Sequence, residues 1–174
     1  DVDERTRKVG EFWRERKLDT ESNVQFGEGG AGTFSDGKLT TGIKDPRCRE
    51  VFIQFAKFGA PGEILYSATP HIGTDKLKTV VKNLRKEIIR LGGEVHFCTK
   101  LSGLIIVNGA LHGVTVTKKD GKMFDIEADA LILSIGHSSR DTFEMLYKCG
   151  FEITQKPFSV GTRIEHTQEH INKA

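Results

Sequence analysis

Two dipeptides constrain this chain more than anything else in it. Asn108-Gly109 joins the alternating runs at residues 101–107 and 111–117, and Asp120-Gly121 turns the chain again into residues 122–127. Asn-Gly and Asp-Gly supply the positive backbone angles that a two-residue hairpin turn needs, and the alternation gives each strand one apolar face. The pattern predicts a three-stranded antiparallel meander over residues 101–127.

On either side of the meander the periodicity changes. Leu77, Val80, Val81, Leu84, Ile88 and Leu91 recur at helical spacing, with Lys76, Lys78, Lys82, Lys86 and Arg90 opposite. This predicts an amphipathic helix capped at Thr74 or Asp75, stopped by Gly92-Gly93, with its basic residues a solvated face and a phosphate patch as the alternative. The stretch "EVHFC", residues 94–98, then reads as a short buried strand, so that helix, glycine turn and strand make half of a parallel α/β unit. Beyond the meander, "ADALILSIGHSSRDTFEMLYKCG" predicts a buried strand over residues 130–135 and a turn at Gly136. A helix to about Lys148 follows, capped by Ser138, Ser139 or Asp141. A strand, a glycine and a helix start leave free N–H groups where open α/β sheets bind ligands, and the positive helix end favours a phosphate. A plain connection has the same pattern, and His137 there reads as a base, a cofactor contact or a polar loop residue.

Two further helices are expected. Residues 3–17 place Val2, Val9, Phe12 and Trp13 loosely on one side, and Asp45-Pro46 opens a helix whose Cys48, Val51, Phe52, Phe55 and Phe58 form a core stripe ended by Gly59 and Pro61. Residues 59–75, "GAPGEILYSATPHIGTD", read as a connection between helices, with a site wall as the alternative.

Phe26 is followed by "GEGGAGTFSDGKLTTG", which puts Gly27, Gly29 and Gly32 in the places of a G-x-G-x-x-G fingerprint. That fingerprint works when a strand ends in a tight turn and a helix starts at once behind it. Here Thr33, Phe34, Ser35, Asp36 and Gly37 begin no helix, Gly42 prolongs the loop chemistry, and no acidic residue ends a second strand about twenty positions on. The literal match fails its context.

At 174 residues, 37% hydrophobic and 29% charged, the chain is sized and composed as one soluble domain. A net charge of +2 gives no field that would draw it to nucleic acid or a membrane, and no apolar run approaches the roughly 20 residues of a bilayer span. Cys48, Cys98 and Cys149 are odd in number and form no C-x-x-C pair, which points away from disulfides and zinc and toward a cytoplasmic setting. "HTQEH", His166 to His170, has a zincin-like spacing, but zinc needs a third protein ligand, so no metal is expected. The opening "DVDERTRKVGEFW", without an initiator methionine, reads as the start of a piece cut from something longer.

The stretches "NVQFGEGGAGTFSDGKLTT", "PHIGTDKL", "LGGEV", "ADALILSIGHSSRDTFEML" and "KPFSVGTRIEH" together resemble the uncharacterised FAD-dependent dehydrogenases of bacteria, within the two-dinucleotide-binding-domain flavoproteins. The resemblance covers nearly the whole chain. It implies an α/β fold: a partial FAD/NAD(P)-binding, Rossmann-like, three-layer domain over residues 1–157 that lacks its first strand-turn-helix. Residues 158–174 would begin the connection to a following domain.

It also implies that the glycine loop runs beside the flavin and pyrophosphate rather than forming the primary phosphate turn. Gly27, Glu28, Gly29, Gly30, Gly32, Thr33, Ser35, Asp36, Gly37, Lys38 and Leu39 would then lie along the cofactor. Val95, Thr99 and Leu101 would pass its adenine end, and Ser134, Ile135, Gly136, His137 and Ser138 its pyrophosphate side. The implied activity is electron transfer between FAD and an unidentified small-molecule substrate, with NAD(P)H a candidate donor and no catalytic residue assigned. This segment alone would be inactive, and would self-associate through an uncovered sheet edge. A reading from another class is a non-enzymatic α/β module for a nucleotide or RNA. Against RNA, the meander offers Phe124 alone as a stacking aromatic.

Overall fold

The computed structural model describes residues 1–34, 39–162 and 164–173. Its elements in chain order are α1 (Val2–Glu15), α2 (Arg47–Lys57), α3 (Thr74–Arg90), β1 (Thr99–Val107), β2 (Ala110–Lys118), β3 (Met123–Glu127), α4 (Arg140–Lys148) and α5 (Gln168–Asn172). Short 3-10 turns stand at Ala31–Phe34 and Gly62–Leu65. The chain is thus a mixture of helix and strand with a three-stranded antiparallel sheet in the order β1-β2-β3. No helix among the described residues is long and apolar enough to cross a membrane.

The meander forms where the turn dipeptides place it. Asn108 and Gly109 both have positive φ, 51° and 80°, so Val107 lies opposite Ala110 across a tight turn. At the second turn the Asp120 carboxylate accepts the Lys122 N–H at 3.0 Å, and Gly121 has φ 84°. Val114 and Val116 of β2 are buried, and Gly113 between the two outer strands is obligatory, because a Cβ there would lie 2.6 Å from the Ile126 carbonyl oxygen. Helix α4 packs on β1.

The helical part has its own core. Ala60, Ile64 and Ile72 come from the segment between α2 and α3, and Leu77 and Val80 from α3, with Phe52, Phe55 and Phe58 packed against them. The segment read as a connection therefore builds the core that the phenylalanine stripe packs onto, while Val51 of that stripe is exposed. The N-cap of α3 is Gly73, without a side-chain bond, and neither Thr74 nor Asp75 takes that place. Its C-terminus follows the glycine signal: Gly92 adopts φ 88° and the Gly93 N–H reaches back to Ile88 at 2.9 Å.

Two expected strands are corrected. Residues 94–98 and 130–135 are in no sheet, and no parallel pair occurs among the described residues. Residues 130–135 are not buried either, with Ile132 89% exposed, and the α3 stripe ends on Leu91, 69% exposed. The physical reason is pairing. A hairpin strand brings its partner two residues away, whereas a parallel strand waits for one delivered by a crossover, and neither run has such a neighbour here.

Candidate functional site

The glycine loop is built around a buried arginine. On α1 the inward face reads Val2, Arg5, Val9, so Arg5 occupies a position that its spacing assigns to an apolar residue. Its Nε donates to the Asn23 carbonyl at 2.8 Å, and its Nη1 donates to the carbonyls of Glu28 (2.8 Å), Gly30 (2.7 Å) and Gly27 (3.3 Å). The guanidinium lies over the Phe34 ring, 4.7 Å from its centroid, and Nη2 has no hydrogen-bond partner. Burial lowers the Arg5 pKa from the ordinary arginine value, but guanidinium basicity keeps the group charged.

Asn23 shapes the approach to the loop, its Oδ1 accepting the Gln25 N–H at 2.8 Å and its Nδ2 donating to the Asp19 carbonyl at 2.8 Å. Glu28 turns inward. Its carboxylate accepts the Val2 N–H at 2.7 Å and pairs with Arg85 at 3.0 Å, and the Arg85 guanidinium in turn lies over the Phe97 ring at 5.1 Å.

The glycines of the loop are not equivalent. Gly27, Gly29 and Gly30 all have positive φ, at 116°, 88° and 61°. A Cβ on Gly27 would fall 2.6 Å from Arg5 Cδ, and one on Gly29 would fall 2.1 Å from Thr33 Oγ1, so both are filled from within. A Cβ on Gly30 would meet nothing within 4 Å, which leaves bare backbone facing open space. At Gly32 it would make ordinary contact with Leu77 at 3.7 Å. Thr33, expected along the cofactor, is fully buried with Oγ1 unpartnered. Ser35, Asp36, Gly37 and Lys38 lie outside the described residues. Leu39 donates its N–H to the Pro70 carbonyl at 2.9 Å and packs on the helical core.

The second cluster is open. Gly136 has φ 71° and nothing within 4 Å of a Cβ position. Ser139 stands at the N-cap of α4, yet its hydroxyl donates backward to the Ile135 carbonyl at 2.7 Å instead of capping the helix. Ser138 Oγ lies 3.3 Å from His137 Nε2, and Ser134 is exposed. Behind this turn Lys100 of β1 pairs with Asp141 and with Glu21 at 3.4 Å. The hydrogen bond between Lys100 and Asp141 raises the lysine pKa and lowers the carboxyl pKa. In the third group, Thr99 and Leu101 sit on β1, Thr99 donating to the Phe97 carbonyl at 2.9 Å, and Val95 is exposed in the irregular run before it.

The structure gathers residues 27–33 around Arg5, and two long side chains tie this unit to the other groups. Arg85 spans from Glu28 to Phe97, and Lys100 spans from Glu21 to Asp141. An open hollow of about 370 Å³ is lined by Glu63, Ile64, Tyr66, Ser67, Thr69, Pro70 and His71, and a smaller one of about 180 Å³ by Val9, Phe12, Leu18, Asn23, Val24 and Gln25. Among the described residues, none of those expected along the cofactor lines either. Part of the basic face of α3 is engaged as well, Lys82 pairing with Asp3 at 2.6 Å and Lys78 lying over the Phe34 ring at 5.3 Å. The His166 and His170 rings stack at 5.2 Å, and among the described residues no group of three or more His, Cys, Asp or Glu side chains could hold a metal ion.

Arg5 and Arg85 are absent from the expected site. For Arg5 the signal was available: a charged residue three after Val2 and four before Val9, on the face that must be buried.

No protein-family model matches the chain. A Clostridium beijerinckii protein bearing the name "Uncharacterized protein" is 55% identical to it over 172 residues. That similarity takes in 99% of this chain and 31% of the relative, so the chain spans just under a third of the length of the curated relative it matches.

Proposed function

We propose that this chain is a segment of the cofactor domain of an FAD-dependent oxidoreductase, Rossmann-like in arrangement and completed by strands from elsewhere in a longer polypeptide. The observation that carries this reading is Gly30, a loop glycine with positive φ, held by Arg5 from behind and bare toward open space. A planar ring can approach such backbone without a side chain between them. The fit is at Gly30 and not at Thr33, whose hydroxyl is buried.

Further support comes from two runs of strand composition outside any sheet, residues 94–98 and 130–135, which follow α3 and precede α4 where the strands of a parallel sheet would stand. The open Gly136 turn at the start of α4 offers N–H groups and the positive helix end to a phosphate. A bound flavin would supply the electron transfer, and this chain's residues would hold and orient it. The substrate is a small molecule of unidentified class, with NAD(P)H a candidate donor. RNA recognition finds less support, because the meander's Phe124 ring already has Lys118 over it at 5.2 Å.

The test uses the protein at its natural length. Purified wild type should be yellow, with flavin absorbance near stoichiometric. Gly30→Ala should lower flavin content by about tenfold through loss of close contact, while its positive φ costs only about 1 kcal/mol of stability. A colourless wild type, or equal flavin occupancy in wild type and variant, overturns the proposal.

A further inference from the structure

Arg5 commits a full positive charge to the inside of a loop. It is 1% exposed, and the four groups it binds are carbonyl oxygens, those of Asn23, Gly27, Glu28 and Gly30, with no carboxylate among them. These carbonyls lie on both arms of the turn, so one planar group closes a segment whose glycines have the most conformational freedom to lose. Hydrogen bonds from an ionised donor are about twice as strong as neutral ones, and the guanidinium's fixed fork can serve several acceptors at once where an ammonium acts as a point charge. Phe34, at 4.7 Å, holds the plane of the fork. With no exposed atom of consequence, Arg5 can influence a ligand only through the loop.

We propose that Arg5 is the positioning residue that holds the glycine loop in its binding form, with the bare Cα side of Gly30 turned outward. This rests on the reading of the loop as a flavin contact, and the experiment separates the two claims. In the natural-length protein, Arg5→Ala should weaken FAD binding by about tenfold or more, because several charge-assisted bonds are lost together. Arg5→Lys should recover little of it. Millimolar guanidinium ion, too dilute to denature, should restore binding in Arg5→Ala by refilling the vacated fork. It should do nothing for Val80→Ala, a core truncation in α3 serving as the control for stability loss.

FAD affinity of Arg5→Ala within about twofold of wild type would overturn the proposal. So would full recovery by Arg5→Lys, or an equal loss and equal guanidinium response in Val80→Ala. If the wild type binds no FAD, the flavin reading has failed, and the positioning role is judged by amide exchange over residues 27–33. Exchange about tenfold faster in Arg5→Ala and slowed again by guanidinium supports it, and unchanged exchange overturns it.

Discussion

The two glycine turns of this chain are made in opposite ways. At residues 27–30 the loop folds inward on Arg5, and the places where Gly27 and Gly29 would carry a Cβ are occupied by Arg5 and Thr33. At Gly136 the backbone angle is just as positive, but nothing lies within 4 Å, and one bond from Ser139 to Ile135 closes the turn. A glycine with filled Cβ space serves packing. A glycine with empty Cβ space serves a backbone angle, and leaves room for a neighbour outside. Gly30 belongs to the second kind although it stands in the first loop, which is why the proposed binding face is drawn there.

The largest effect that could break this comparison is at Gly29. An alanine there would set its Cβ 2.1 Å from Thr33 Oγ1 at φ 88°, so the buried threonine or the loop must move. Overpacking and positive-φ strain together should cost about 3 kcal/mol, read as a lowered midpoint in urea denaturation. At Gly136, with φ 71° and open space around it, alanine should cost only the backbone term, about 1 kcal/mol. Equal costs at the two positions would mean that the interior of the 27–30 loop is not packed as described.

How much of this was legible in sequence follows from where each partner lies along the chain. The meander was readable because Asn108-Gly109 and Asp120-Gly121 fix both the turn and the neighbour. Residues 94–98 and 130–135 have strand composition too, but composition says nothing about which strand stands alongside, and among the described residues no strand pairs with either. The glycine loop was readable as a loop, and its context excluded the ordinary fingerprint. What held it together was not, because the Arg5 bonds span 18 to 25 residues and end on carbonyl oxygens, which every residue type carries alike. Likewise the core role of Ile64 and Ile72 was hidden in a stretch whose prolines and glycines advertise a connection.

The smallest expected effect sharpens the contrast between a buried tie and an exposed one. Lys100 joins the start of α4 to the 19–23 segment through Asp141 and Glu21, but the three side chains are 46%, 53% and 69% exposed, so water screens the pairs. Lys100→Met should therefore cost no more than about 0.5 kcal/mol. The pH dependence has a definite sign. The hydrogen bond from Lys100 holds the folded Asp141 pKa below its ordinary 3.8, so the pair's contribution is present above the unfolded value and lost as pH falls through the folded one. On the basic side, the same bond to Asp141 raises Lys100 above its ordinary 10.5, so the contribution is full below that value and lost as pH rises through the folded one. Urea midpoints of wild type and Lys100→Met should differ by a small constant amount between about pH 5 and pH 9 and converge at either extreme. Raising salt to about 1 M, where the screening length is about 3 Å, should remove most of that difference. The Arg5 tie, shielded from solvent, should lose little in the same salt, and a Lys100 contribution that survived high salt intact would show that the exposed tie is buried after all.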